Sequence, residues 1–164
     1  MTFLGLSARV AQPTDLDPTA HLWHAAWHET QAPFVPATLI AQRSLESFKT
    51  RLAQMGERLR IAGPVGAPIG LCSIKPRELH QLFVAPAARG KGVATELLAD
   101  AEQRLLAQGD TSAFLDCLFE NDAAIRFYSR NGWVKHGVQT AQLDTLDGPF
   151  ELPCLIFRKE LSAQ

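Results

Sequence analysis

The spacing of apolar positions changes period several times along the chain, and each change predicts an element. Residues 6–11 (Leu-Ser-Ala-Arg-Val-Ala) read as a short first strand, ended by Gln12-Pro13-Thr14-Asp15. Leu16, Ala20, Trp23, Ala26 and Trp27 then recur at helical spacing. Asp15 or Asp17 is a suitable cap for that helix, and Pro18 is tolerated in its first turn. Two prolines in Gln31-Ala-Pro-Phe-Val-Pro36 make a loop. Thr38 caps a second helix reaching Met55, with Leu39, Leu45, Phe48 and Leu52 on its apolar side.

From Arg58 onward the pattern turns to strands. Segments 58–62, 68–75 and 78–84 are separated by the turn signals Gly63-Pro-Val-Gly66 and Pro76-Arg77. A small-residue loop, 85–92, precedes a helix from Val93 to Gln108, with Gly109 as its stop. Strand 112–118, a short helix capped by Asn121 or Asp122 and ending at Asn131-Gly132, and strands 133–138 and 151–159 complete the chain. Runs of strands and helices without strict βαβα alternation predict an α/β (α+β) layered fold. Its sheet has about seven strands, mostly antiparallel, with helices on both faces.

Composition narrows the class. A chain of 164 residues, 46% hydrophobic, suits one domain spanning 1–164. A net charge of −1 gives no reason to expect nucleic acid or a membrane surface as partner. The three cysteines, Cys72, Cys117 and Cys154, are odd in number and lack metal-ligand spacing, so apolar packing in a reducing cytoplasm is expected. The N-terminus lacks a signal-peptide pattern, and no apolar run is long enough to cross a membrane.

The most informative stretch runs from Leu82 to Leu98, an apolar strand leading through a glycine-rich loop into a helix. Unpaired N–H groups at a helix start, together with the helix dipole, favour an anion. Gly90 and Gly92 permit close backbone approach, and Arg89 and Lys91 add positive charge. A pyrophosphate suits this cradle. The loop is neither a P-loop nor a dinucleotide fingerprint, because it lacks Gly-Lys-Ser/Thr and a third spaced glycine.

Two motifs in this order resemble the GCN5-related N-acetyltransferase (GNAT) superfamily. The first is Phe83-Val84-Ala85-Pro86 followed by Arg89-Gly-Lys-Gly92-Val-Ala94; the second is Asn121-Asp-Ala-Ala124-Ile-Arg-Phe127-Tyr128 ending in Gly132-Trp133. The resemblance is strongest over 78–138. It implies a splayed strand pair in the sheet and acetyl-CoA as acyl donor, with no metal. It further implies direct transfer to an amine in a ternary complex. Phe83 and Val84 would meet the pantetheine arm through their main chain, with Asn121 close by or serving only as a helix cap. Arg89, Gly90, Lys91, Gly92, Val93, Ala94 and Thr95 would hold the pyrophosphate. Tyr128 would protonate the leaving thiolate, and Glu78 or His80 would take the amine proton. The N–H of Val84 is the oxyanion donor by analogy.

The acceptor wall in this family comes from the first two helices, which makes Trp27, His28 and Phe34 candidate substrate contacts. His24 and His28 share a helical face but lack a third ligand. Asp144, Asp147 and Glu151 near the last turn are read either as attraction for a cationic acceptor or as surface charge. A small-molecule or peptide amine is the expected partner, and a homodimer is open. The alternatives are a non-catalytic acyl-CoA-binding domain and an enzyme for longer acyl chains.

Overall fold

The computed structural model describes residues 7–162. Its strands are β1 (Arg9–Val10), β2 (Leu59–Ala62), β3 (Gly70–Lys75), β4 (Glu78–Val84), β5 (Ser112–Cys117), β6 (Val134–Leu143) and β7 (Phe150–Glu160). They form one seven-stranded sheet in the order β1-β2-β3-β4-β5-β7-β6. Every neighbouring pair is antiparallel except β4 and β5, which are parallel and joined only at Glu78 opposite Phe114. The helices are α1 (Leu16–Thr30), α2 (Ala37–Ala41), α3 (Leu45–Met55), α4 (Val93–Ala107) and α5 (Asp122–Arg130). The mixed architecture expected from the sequence is the one observed.

Both faces of the central strands are covered, so alternate residues enter different cores. Leu71 of β3 packs with Trp23 of α1 and Phe48 and Leu52 of α3. Its neighbours Cys72 and Ile74 pack with Leu97, Leu98 and Leu105 of α4. Ile125, Phe127 and Tyr128 place α5 on this second face. Gly70 lets α4 approach β3 closely: a Cβ there would stand 3.0 Å from Leu97 and 3.1 Å from Val93.

Several boundaries differ from the sequence reading. The helix predicted across 38–55 is two helices, broken at Gln42-Arg43-Ser44. Ser44 caps the second by accepting from the Ser47 N–H at 3.1 Å, while α2 starts after Pro36 rather than on a Thr38 cap. A serine cap inside a helical pattern competes with the apolar period, and here the cap wins. Asp15 holds the N-cap position of α1, but its side chain makes no capping bond there. It is fully buried, forks Arg9 at 2.8 and 3.0 Å, and accepts from the N–H groups of Gln12 and Gly66. Of the first strand predicted at 6–11, Arg9–Val10 is observed and residue 6 lies outside the described residues. The β6–β7 hairpin is longer than expected because β6 continues to Leu143. No described helix is long and apolar enough to cross a membrane.

Candidate active site

β4 and β5 diverge beyond Glu78 and Phe114, so the edge of β4 from Leu79 to Val84 has no β5 partner. Strand alternation decides which main-chain groups face the gap. The Ala85 N–H donates to Ile69 on the β3 side, and Phe83 opposes Leu71. Two-residue periodicity therefore turns Phe83's groups to β3 and those of Leu82 and Val84 to the fork. A cavity of about 370 Å³ fills the fork. Leu82, Phe83 and Val84 line it on one side, Asp116 and Cys117 on the other, and Asn121 and Tyr128 along α5.

The mouth of this cavity meets the start of α4. Gly92, the residue before α4, has φ +86° and leaves α4 without a side-chain cap. Glu96 is the first residue whose N–H closes on Gly92, which leaves the N–H groups of Val93, Ala94 and Thr95 without helical partners. Gly90, at φ +75°, shares the left-handed backbone, and no protein atom lies within 4 Å of a Cβ built on either glycine. Donor groups, positive dipole and open space coincide, which is what a phosphate requires. Arg89 and Ala94 line the cavity, whereas Lys91 is exposed and the Val93 side chain is buried in the core. Arg89 forks Glu29 of α1 at 2.9 and 3.4 Å, an exposed pair of small energetic weight. Asn121 lines the cavity and caps α5 by accepting from the Ala124 N–H at 3.2 Å.

Tyr128 packs against Phe127 at 5.4 Å and against Trp133 and Phe157, each at 6.3 Å between ring centres. Its hydroxyl has no hydrogen-bond partner among the described residues, and the residue lines the cavity. Burial raises its pKa well above the ordinary phenol range, with the thiols of Cys117 and Cys72 adding to the effect. The phenol is therefore a proton donor at any physiological pH. Cys117 and Cys154 also line the cavity, but burial pushes both thiols up to about 12. Neither is a ready nucleophile.

The far end of the fork is charged. Glu78 is half-buried, and desolvation pushes its carboxyl up to about 7 against the pull of Lys75, with Asp116 and Asp144 adding to the rise. Asp116 is also raised by burial. His80 donates from Nε2 to Asp144 at 3.0 Å, so its Nδ1 accepts from the Ser73 hydroxyl at 3.2 Å. Burial lowers the His80 pKa more than Asp144 raises it, which keeps the ring neutral. Asp144 also binds Lys75, and these two contacts hold its carboxyl well below the usual range. A bulge sets His80 and Gln81 together opposite Ser73, and both line the cavity.

Trp27, His28 and Phe34 lie outside the cavity lining. Trp27 is core, the His28 ring bonds the Arg43 carbonyl at 2.8 Å, and Phe34 is exposed. Thr30 and Gln31, one turn further along, supply that wall. Asp116 was legible in principle as an acid on the second face of a strand whose Ala113, Leu115 and Cys117 are buried. Asp144 had no sequence signal that tied it to His80, 64 residues away.

The sheet is thus forked between its central strands, with unpaired N–H groups at the mouth of the fork and the Tyr128 phenol inside it. Residues 18–133 match the Acetyltransferase (GNAT) family, and the chain belongs to that family. An acetyltransferase of Agrobacterium fabrum is 43% identical over 56 residues, 34% of this chain and 39% of that protein. The alignment thus spans well under half of that curated relative. A GCN5-related N-acetyltransferase from Rhodopseudomonas palustris shares the fold, with TM-score 0.74 and 23% identity over 98% of this chain and 99% of that one. The paia N-acetyltransferase of Thermoplasma acidophilum, solved with coenzyme A, gives TM-score 0.67 and 19% identity, covering 94% of this chain and 98% of its own. Salmonella typhimurium yncA, solved with acetyl-CoA, gives 0.71 and 17%, covering 96% and 95%.

Proposed function

We propose that this protein transfers an acetyl group from acetyl-CoA directly to an amine acceptor within a ternary complex. The observation that carries this reading is the continuity of one cavity from the α4 cradle, along the free edge of β4, to Tyr128. The pyrophosphate fits the N–H groups of residues 93–95 beside Gly90 and Gly92, with Arg89 at the rim and Lys91 as a solvated charge. The pantetheine arm fits the main-chain groups of Leu82 and Val84 on the fork side, next to Asn121. Coenzyme A complexes of fold relatives support the choice of donor.

Within that frame each residue has a task. The Val84 N–H faces the fork, where negative charge develops on the carbonyl oxygen. Tyr128 donates its proton to the departing thiolate. Glu78 takes the amine proton through a water, because it stands near the fork without lining the cavity and titrates at about 7. His80 has both nitrogens engaged by Ser73 and Asp144, so it serves as a fixed wall group in place of the base role. The inert thiols of Cys117 and Cys154 favour direct transfer over a covalent enzyme intermediate.

Acetyl-CoA is expected to raise the melting temperature of the purified protein, and an amine panel is expected to release free thiol. Stabilisation without thiol release from any amine would support a binding domain instead. Absence of both would overturn the reading.

A further inference from the structure

Asp116 is a carboxyl group in the cavity wall to which the protein binds nothing. It lines the fork on β5, half-buried, and makes no hydrogen bond or ion pair among the described residues. The other ionisable groups at hand are already engaged. Arg89, also in the lining, is forked by Glu29 at the cradle. The His80 ring is held by Ser73 and Asp144. Lys75 is bound to Asp144 and stays outside the lining.

Strand alternation divides the cavity between the two faces of the sheet. Leu115 and Cys117 turn into the core beneath α4, the face that also takes Leu82, Val84, Phe127 and Tyr128. Asp116 stands between Leu115 and Cys117 and so turns to the opposite face. There Phe83 packs against Trp23 of α1, and Leu143 packs with Leu118 and Cys154. A donor reaching from α4 to Tyr128 occupies the first face, which leaves the second to the acceptor. Depth agrees with this division. The strand from the mouth at Val84 to the closed end at Glu78 spans about 20 Å. Donor phosphates at the mouth direct the acyl end inward, and Asp116 lies about 7 Å along β5 from the closed pair of Glu78 and Phe114.

A carboxylate drawn out of water without a partner is unfavourable, and burial raises the Asp116 carboxyl accordingly. An ammonium group offsets that cost with a charge-assisted hydrogen bond. Leu118, Leu143 and Cys154 on this face suit a hydrocarbon, and the lining holds no unpaired cation among the described residues. A carboxylate on the amine-bearing carbon would therefore stand beside Asp116 unbalanced, and like charges at that range repel. The cavity is about 370 Å³ and the donor arm takes part of it, so the remaining space suits a small body.

We infer that Asp116 anchors the ammonium group of the acceptor, and that the acceptor is a small primary amine on an apolar body, with no carboxylate on the amine-bearing carbon. This inference rests on the acetyltransferase reading and names the class of acceptor within it.

The test is thiol release from acetyl-CoA with isobutylamine, isopentylamine and phenethylamine. Each is compared with the amino acid of the same side chain (valine, leucine or phenylalanine) and with that acid's carboxamide, and a short lysine peptide is run alongside. At least one amine is expected to exceed its acid in kcat/KM by about tenfold or more, with the neutral carboxamide also ahead of the acid. Asp116→Asn keeps the shape and removes the charge. It is expected to raise KM for that amine by about tenfold or more, to leave kcat within threefold or so, and to keep the thermal shift with acetyl-CoA.

Equal or better use of the acids, a carboxamide as poor as its acid, turnover of the peptide alone, or no turnover of any amine while acetyl-CoA still stabilises the protein overturns the inference and leaves the donor assignment standing. A variant that loses kcat at unchanged KM removes the anchor role from Asp116, and so does a variant with unchanged kinetics. If the variant does not fold, the wild-type amine-to-acid ratio decides. Failure of acetyl-CoA to stabilise the wild-type protein refutes the underlying reading itself.

Discussion

Replacing Tyr128 with Phe removes one oxygen and leaves the ring contacts with Phe127, Trp133 and Phe157 in place. The hydroxyl has no protein partner among the described residues, so no donor or acceptor is orphaned by its loss. Stability is therefore expected to change by less than about 1 kcal/mol. Catalysis is a different matter. A raised phenol pKa keeps the proton on Tyr128 until the thiolate forms, and a positioned general acid contributes roughly 10²- to 10⁴-fold. The assay is single-turnover thiol release with saturating acetyl-CoA, alongside melting temperature and acetyl-CoA affinity for both proteins. The expected outcome is a loss of at least about 100-fold in rate with affinity nearly unchanged. Because the phenol stays protonated, the wild-type rate should show no alkaline limb from Tyr128 below pH 10 or so. A variant rate within threefold or so of wild type would refute the acid role, since a group poised for proton transfer cannot be that dispensable.

Four further outcomes follow from the same geometry. Glu78→Gln should abolish the acid limb of the rate profile, which in the wild type rises with pH through about 7 as the base loses its proton; a limb that persists unchanged assigns it elsewhere. The same raised carboxyl stabilises the fold below its unfolded pKa and loses that contribution as pH climbs to about 7, so Glu78→Gln should be more stable than wild type at pH 8, by roughly 1–2 kcal/mol after solvent screening. Asp15→Asn removes the fully buried charge that partly exposed Arg9 forks and should cost about 2–3 kcal/mol in urea unfolding, while the wild type loses this contribution only as pH falls below about 4, because Arg9 holds the carboxyl low. Gly92→Ala forces a Cβ onto φ +86° and should weaken coenzyme A binding by at least about tenfold in calorimetry, through displacement of one charge-assisted N–H contact; unchanged affinity would move the pyrophosphate off the α4 start.

Local signals were legible without coordinates wherever a feature depends on residues close in the chain. The strand, loop and helix around Gly90 and Gly92 are such a case, since helix starts expose N–H groups whatever surrounds them. Tyr128 was singled out through resemblance alone, by the motif from Asn121 to Trp133. The split of α2 from α3 was also local, written in Ser44, but the apolar period masked it. The acceptor wall misled because Trp27 and Thr30 sit on one helix, and only packing decides that the tryptophan turns into the core.

Sequence by itself thus determined most of the order of elements and the join of strand, glycine loop and helix at Gly90 and Gly92. Tertiary structure alone decided that β4 and β5 meet at one residue pair and then part, which opens the cavity. It also decided that Asp144 grips His80, that Glu78 titrates near neutrality, and that Asp116 stands in the cavity wall. Helix starts and turns arise from contacts within a few residues. Desolvation and charge pairing depend on which distant segments share a low-dielectric space, and no spacing along the chain records that.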